Sequence, residues 1–381
     1  MSLEDVASRT NEFFFLQEFT FCRVTFTPTA GSELELADGI IWLDDLAILF
    51  QMKERARSAS NTQNALDHWF ESKVVKRATR QIRDTLSYLS KQDPIGATNN
   101  RGQKVYLSSG NLRTVHKIVL FQEGETSAAS TRPKFHRSQS AGVVHLIPIE
   151  DYIDLVHTLL TPTELSEYLA WREALCAEWE DEVNLLPEQS LLGHYLMGQA
   201  DVAPKLSDIQ NVLSLRVDLE TFDVTGILHK FLDRSTYGLS GTNYHLIIQE
   251  IAKLNRTELQ TFKDRFARSM TKANANEFTQ PYRFASPRTG CGFVFIPLQA
   301  EHRENRRTAL VNFTAAAKYD LKLSRYIGAS FIADEDGWCT VDWCRHESPW
   351  EFNQEMETRL AENYPFRKVM ETRVDRYTFG E

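Results

Sequence analysis

Nowhere in these 381 residues does an apolar run approach the ~20 residues that a membrane-crossing helix needs. The N-terminal MSLEDVASRTNE is acidic and polar where a signal peptide would be basic and then apolar, so no membrane partner and a cytoplasmic location are expected. Cysteine is scarce. The five cysteines, at 22, 176, 291, 339 and 344, are odd in number and scattered, which argues against a disulfide framework and fits a reducing compartment. Cys339, Cys344 and His346 lie close in sequence, but their spacing matches no zinc pattern and a fourth ligand is missing, so strand-borne packing is the expected role.

Positive charge is also in deficit, with 43 Lys and Arg against 52 Asp and Glu and a net charge of −9, which at first sight argues against a nucleic-acid partner. Its distribution argues otherwise. From Met52 to Ser140 there are 16 Lys plus Arg and 7 Asp plus Glu, a local +9, which leaves −18 for the rest of the chain. From Glu150 to Glu188, 11 acidic residues stand against Arg172 alone. A basic block suits contact with phosphates, and the acidic segment is expected to lie near enough to compete for it.

What is present in the chain centres on ELADGIIWLDDLAILFQMKER, Glu35 to Arg55. Ala37 to Leu43 and Leu46 to Lys53 are apolar runs of strand length, and Asp44-Asp45 between them tolerates a tight turn. With those aspartates as the loop of a two-residue hairpin, opposed residues sum to 89 and Asp38 faces Gln51. Lys53, two residues on, shares that face. A carboxylate, an amide oxygen and an amine therefore converge at one end of the sheet.

Asp38, then Gln51-Met52-Lys53, then a basic helix resembles the PD-(D/E)XK restriction-endonuclease-like superfamily over roughly the first 150 residues. The departure is Gln51, where that pattern more often has Asp or Glu. The resemblance implies an αβββαβ core and metal-dependent cleavage of a phosphodiester. Mg²⁺ (or Mn²⁺) would be held by Asp38, the Gln51 side-chain oxygen and the Met52 carbonyl, and Lys53 would orient or help deprotonate the attacking water. It also implies an extra acidic ligand from the first helix, for which Glu12 is favoured over Glu18 and Glu4, and basic or amide residues after the lysine, here Lys76, Arg77, Arg80 and Gln81. The partner implied is nucleic acid, DNA ahead of RNA, in a bacterial or phage-defence setting. Homodimerisation is left open. Because Gln51 removes one negative charge, a catalytically silent protein that only binds nucleic acid is the competing expectation. A regulatory protein working through its acidic helical segment is another.

The remaining elements follow from periodicity. Residues 3 to 18 read as a helix, Phe19 to Phe26 as a strand and Pro28 to Ser32 as a turn. Val75, Ala78, Ile82, Leu86 and Leu89 form an apolar helical stripe, with Lys73, Lys76, Arg80 and Arg83 on the other side. Gln92 to Gln103 reads as a loop, Val115 to Gln122 and Val143 to Ile149 as strands, and Gly124 to Ser140 as a flexible basic loop. The expected fold class is α/β (α+β overall): a nuclease-like domain over 1–149, a helical domain over 150–285 and a small α+β domain over 286–381. In the second, Asp151 to Leu160, Thr163 to Glu182, Pro187 to Met197 and Leu246 to Lys272 are helices, the last interrupted near Asn255 and Thr257. No nucleophile elbow, phosphate loop or metal pair falls in it, and His194, His229 and His245 read as structural. In the third, CGFVFIPL is a strand, Asn305 to Asp320 a helix, RYIGASFIAD and WCTVDWC a hairpin closed by Glu335-Asp336-Gly337, and Pro349 to Asn363 a final helix. Trp338, Trp343 and Trp350 are assigned to its core.

Overall fold

The computed structural model describes residues 1–26, 33–56, 58–60, 62–124, 132–199, 201–216, 219–224, 226–228, 241–334, 338–367 and 375–380. The expected turn over 28–32, part of the basic loop, His229 and the Glu335-Asp336-Gly337 turn lie outside the described residues. The fold is mixed α/β, with three sheets among the described residues. The chain forms two compact units, Met1–Val217 with Tyr377–Glu381, and Asp218–Arg376.

The first unit opens with α1 (Leu3–Phe15), capped by a reciprocal pair in which the Ser2 hydroxyl accepts from the Asp5 amide and the Asp5 carboxylate accepts from the Ser2 amide. Leu3, Ala7, Asn11 and Phe15 recur every four residues and are its buried stripe. Leu16 takes a left-handed φ of 68° and ends the helix earlier than its sequence suggests. An antiparallel meander follows, β1 (Thr20–Phe26), β2 (Leu34–Leu43) and β3 (Leu46–Glu54). Its hairpin has the register expected of it: Leu43 pairs with Leu46 and Gly39 with Phe50, around a turn in which Asp44 adopts φ 55°.

After β3 the chain enters α2 (Gln63–Trp69), a π-helical stretch Phe70–Arg77 and α3 (Ala78–Lys91) without a break. The π-helical stretch buries Phe70, Val74 and Val75. Gln92 to Gln103 contains half of a small two-stranded sheet, β4 (Ile95–Thr98) and β5 (Lys104–Leu107), instead of being loop throughout. Next, β6 (Thr114–Gln122) lies parallel to β3, β7 (Phe135–Ser138) forms an edge, and β8 (Gly142–Pro148) lies parallel to β6. The six-stranded order is β1-β2-β3-β6-β8-β7.

Strand alternation divides this sheet into two faces. Ile41, Ile48, Phe50, Met52, Ile118 and Leu120 pack with Leu3, Ala7 and Phe15 of α1. Ile40, Trp42, Ala47 and Leu49 pack with Leu89 of α3, and Val119 and Phe121 with Val74 and Ile82. The α1 face is completed by α4 (Ile149–Leu159), α5 (Pro162–Glu178) and α7 (Glu188–Leu196), with α6 (Glu180–Leu185) and α8 (Ile209–Ser214) beside them. The structure therefore differs from a boundary at 149/150. Pro148 leads directly from β8 into α4, and Tyr152, Leu155, Val156 and Leu159 fall on the sheet as part of its core.

The second unit holds α9 (Leu219–Phe222), α10 (Gly241–Ala252) and α11 (Arg256–Asn274), with the expected interruption made by Asn255, whose side chain caps α11 through the Glu258 amide. Its sheet has the order β12-β11-β10-β9, from β9 (Tyr282–Ser286), β10 (Cys291–Leu298), β11 (Arg325–Ala333) and β12 (Cys339–Glu347), with α12 (Arg306–Asp320) joining the parallel β10 and β11. α13 (Gln354–Glu362) follows. Phe262 of α11 packs against Phe293, Phe295 and Trp343, so this helix belongs with the C-terminal sheet and the break expected at 285/286 does not occur. Trp343 is core, the Trp350 indole donates to the Tyr319 carbonyl at 3.0 Å, but Trp338 is 63% exposed. Cys344 approaches the Thr314 hydroxyl at 3.2 Å, a packing role.

Candidate functional site

The β2–β3 pairing stops one step short of Asp38 and Gln51. In place of a further backbone bond, the Asp38 Oδ2 accepts the Met52 amide proton at 2.6 Å. The carboxylate is thereby fixed at the strand end, and both Asp38 and Gln51 are buried. The Lys53 ammonium donates to the Met52 carbonyl at 2.8 Å and lies 3.4 Å from both Asp38 Oδ2 and Gln51 Oε1. Asp38, Gln51 and Lys53 are thus brought together as the register requires, on the sheet face that α3 covers. Three oxygens of different chemical kinds converge on one cation.

Burial pushes the Lys53 pKa down, Asp38 opposes that shift, and the positive charge of Arg77 adds to it. Arg77 therefore lies within electrostatic reach of the cluster. Lys73, Lys76, Arg77 and Arg80 are all exposed on the π-to-α helix, and only Lys76 is in an ion pair with a described residue, Glu71 at 3.2 Å. Gln81 is half-buried, and its Oε1 is buried without a partner among the described residues. One turn later the Thr85 hydroxyl reaches the Leu36 carbonyl of β2, which fixes α3 against the strand carrying Asp38.

Glu12 is not part of this cluster. It accepts from Ser8, Gln17 and Asn100 at 3.0, 3.1 and 2.9 Å. The reason is the face: α1 packs on Phe50 and Met52, whereas Asp38, Gln51 and Lys53 point to the other side. Glu18 is buried against Arg101 at 3.3 Å, and Glu4 pairs with Arg23 at 2.7 Å. Glu35, exposed at the start of β2, has its carboxyl pKa pushed up by partial burial and then by the negative charges of Asp38 and Glu4.

As a cation site the cluster has one carboxylate, an amide oxygen and a backbone carbonyl. Among the described residues no three His, Cys, Asp or Glu side chains are placed to hold a metal by themselves, so the amide and carbonyl oxygens are needed to complete a ligand set. Hard cations accept that mixture. The Lys53 ammonium occupies the point on which these oxygens converge.

The acidic segment meets the basic block elsewhere. Glu188 lies 3.6 Å from Lys134, and Glu180 lies 4.0 Å from Arg137. Glu188 also holds Arg172 in a fully buried two-point pair at 2.7 and 3.0 Å, with the Tyr168 hydroxyl donating at 2.5 Å. His194 is structural, its ring bonded to Asp208 and to the Val202 carbonyl at 2.9 Å each. Comparison with protein-family models, with curated proteins and with solved structures found no match to the chain.

Proposed function

We propose that the first unit is a metal-dependent nuclease whose reacting centre is Asp38, Gln51 and Lys53, acting on DNA in preference to RNA. The observation that carries this reading is the convergence of Asp38 Oδ2, Gln51 Oε1 and the Met52 carbonyl on the Lys53 ammonium, at the end of two strands covered by a cationic helix. The order of elements supports it: one helix, three meandering strands, a helical crossover and a strand parallel to the third, as expected of a restriction-endonuclease-like core.

Asp38, Gln51 Oε1 and the Met52 carbonyl would hold Mg²⁺ or Mn²⁺. Such an ion, when bound, lowers the pKa of its water and stabilises charge developing on the phosphate. The chain's own residues do the rest. Lys53, its pKa lowered by burial, is suited to orient the attacking water and exchange a proton with it, or to neutralise the scissile phosphate. Lys73, Arg77 and Arg80, exposed and in no ion pair among the described residues, are available to the flanking phosphates.

The test is cleavage of end-labelled duplex, single-stranded DNA and RNA in Mg²⁺ or Mn²⁺, with and without chelator. Wild type should cut only with the ion, and Asp38→Asn and Lys53→Met should not cut. Chelator-resistant or variant-independent cutting would reject the site. Tight binding without any cutting would favour the silent nucleic-acid-binding reading that Gln51 suggests.

A further inference from the structure

Lys53 is seated on the oxygens that the site has to offer. Its ammonium donates to the Met52 carbonyl at 2.8 Å and lies 3.4 Å from Asp38 Oδ2 and from Gln51 Oε1, with the side chain only 13% exposed. These are the same three oxygens that would hold a divalent cation. Mg²⁺ sits about 2.0–2.1 Å from its oxygen ligands, so an ion on these three would share the volume of the ammonium. The two cannot be there together. Charge points the same way. Asp38 and Lys53 cancel and Gln51 adds no charge, so the cluster with its lysine seated offers a divalent cation no net attraction. With the lysine withdrawn, one negative charge remains among the three oxygens.

We infer that Lys53 is a built-in competitor of the divalent cation: ammonium and ion exchange at one point, so the ion binds only by expelling Lys53, and its arrival frees Lys53 for the phosphate. The inference rests on the nuclease reading and concerns how that same site is held shut. Lys53 is the last but one residue of β3, and its flexible four-carbon stem can carry the ammonium out of the cluster. The strength of the competition follows from how long the lysine stays seated, because apparent affinity falls with the fraction of molecules able to bind. A lysine seated about nine-tenths of the time weakens the ion about tenfold, and one seated about 99% of the time weakens it about a hundredfold.

Two measurements on the full chain test this, and neither needs nucleic acid. In calorimetric titration with Mn²⁺ alone, Lys53→Met should bind the ion roughly ten- to hundredfold more tightly than wild type, although the same variant should not cut. Circular dichroism and the melting temperature report whether Lys53→Met folds, and Lys53→Gln takes its place if it does not. The second measurement is labelling of wild-type lysines with an amine-reactive ester, read by mass spectrometry. Lys53 should be protected in chelator and severalfold more reactive in saturating Mn²⁺. This separates exchange from repulsion, because a lysine that only repels the ion keeps its seat when the ion binds. Equal Mn²⁺ affinity in wild type and the lysine variant, or Lys53 labelling that bound Mn²⁺ leaves unchanged or lowers, overturns the exchange and leaves the nuclease reading standing. No Mn²⁺ binding by either protein overturns both.

Discussion

Asp38 has two duties, and they can be separated by choice of substitution. Its Oδ2 closes the β2–β3 ladder by accepting the Met52 amide, and it faces the Lys53 ammonium. Asp38→Ala would strand a buried amide at a cost of about 1–3 kcal/mol, whereas Asp38→Asn keeps an acceptor and removes only the charge. Chemical denaturation should therefore show Asp38→Asn within about 1 kcal/mol of wild type and Asp38→Ala clearly below it. Lys53→Met, which retains the length of the stem, should also be near wild type in stability. A melting curve in which Asp38→Ala and Asp38→Asn are equal would remove the structural half of the assignment.

Among the elements, the hairpin is legible from sequence because two aspartates between apolar runs fix both the turn and the register, and register decides which side chains share a face. Asp38, Gln51 and Lys53 follow from that arithmetic alone. The bulge in β2, where Val24 pairs with Ala37 but Thr25 with Glu35, is not legible. Leu36 and Ala37 carry no turn residue, and only the partner strand shows that one of them is extra. Glu12 attracts a sequence reading because the sequence does not say on which face α1 lies. The π-helical stretch is hidden too, since Val75, Ala78 and Ile82 fit α-helical spacing. Two predictions belong at this scale. Thr85→Val, which leaves the Leu36 carbonyl without its hydroxyl donor, should cost about 1–2 kcal/mol in urea unfolding. Arg77→Gln with Arg80→Gln should weaken duplex binding and reduce the slope of log affinity against log salt by about 2, one for each phosphate no longer neutralised. An unchanged slope would place the nucleic-acid path elsewhere.

At the scale of the whole molecule, the three domains expected from composition become two units because helical segments are claimed by the sheets on either side of them in sequence. α4, α5 and α7 form part of the first unit's core, and α11 packs on the second unit's sheet. Apolar periodicity identifies these helices but not the surfaces they cover. The acidic run is a comparable case. Part of its charge is internal, in Glu188, whose carboxyl resists the penalty of burial because Arg172, Lys134 and Tyr168 hold its pKa down at about 2. Arg172→Met should therefore destabilise the first unit by about 3–5 kcal/mol, because it leaves an uncompensated buried carboxylate. Since the folded pKa lies below the ordinary 4.5, Glu188 contributes stability above that value and loses it as the pH falls toward about 2. The stability gap between wild type and Glu188→Gln should accordingly be full at pH 6 and close on acidification; a gap independent of pH would contradict the ion pair. The central claim, that the end of the β2–β3 hairpin is a divalent-cation centre, is tested most directly by an anomalous-difference map from crystals soaked in Mn²⁺. The account predicts a peak bound by Asp38, Gln51 Oε1 and the Met52 carbonyl, with the Lys53 ammonium moved off the point it now occupies. An empty map there, with Lys53 still seated on the three oxygens, would contradict it.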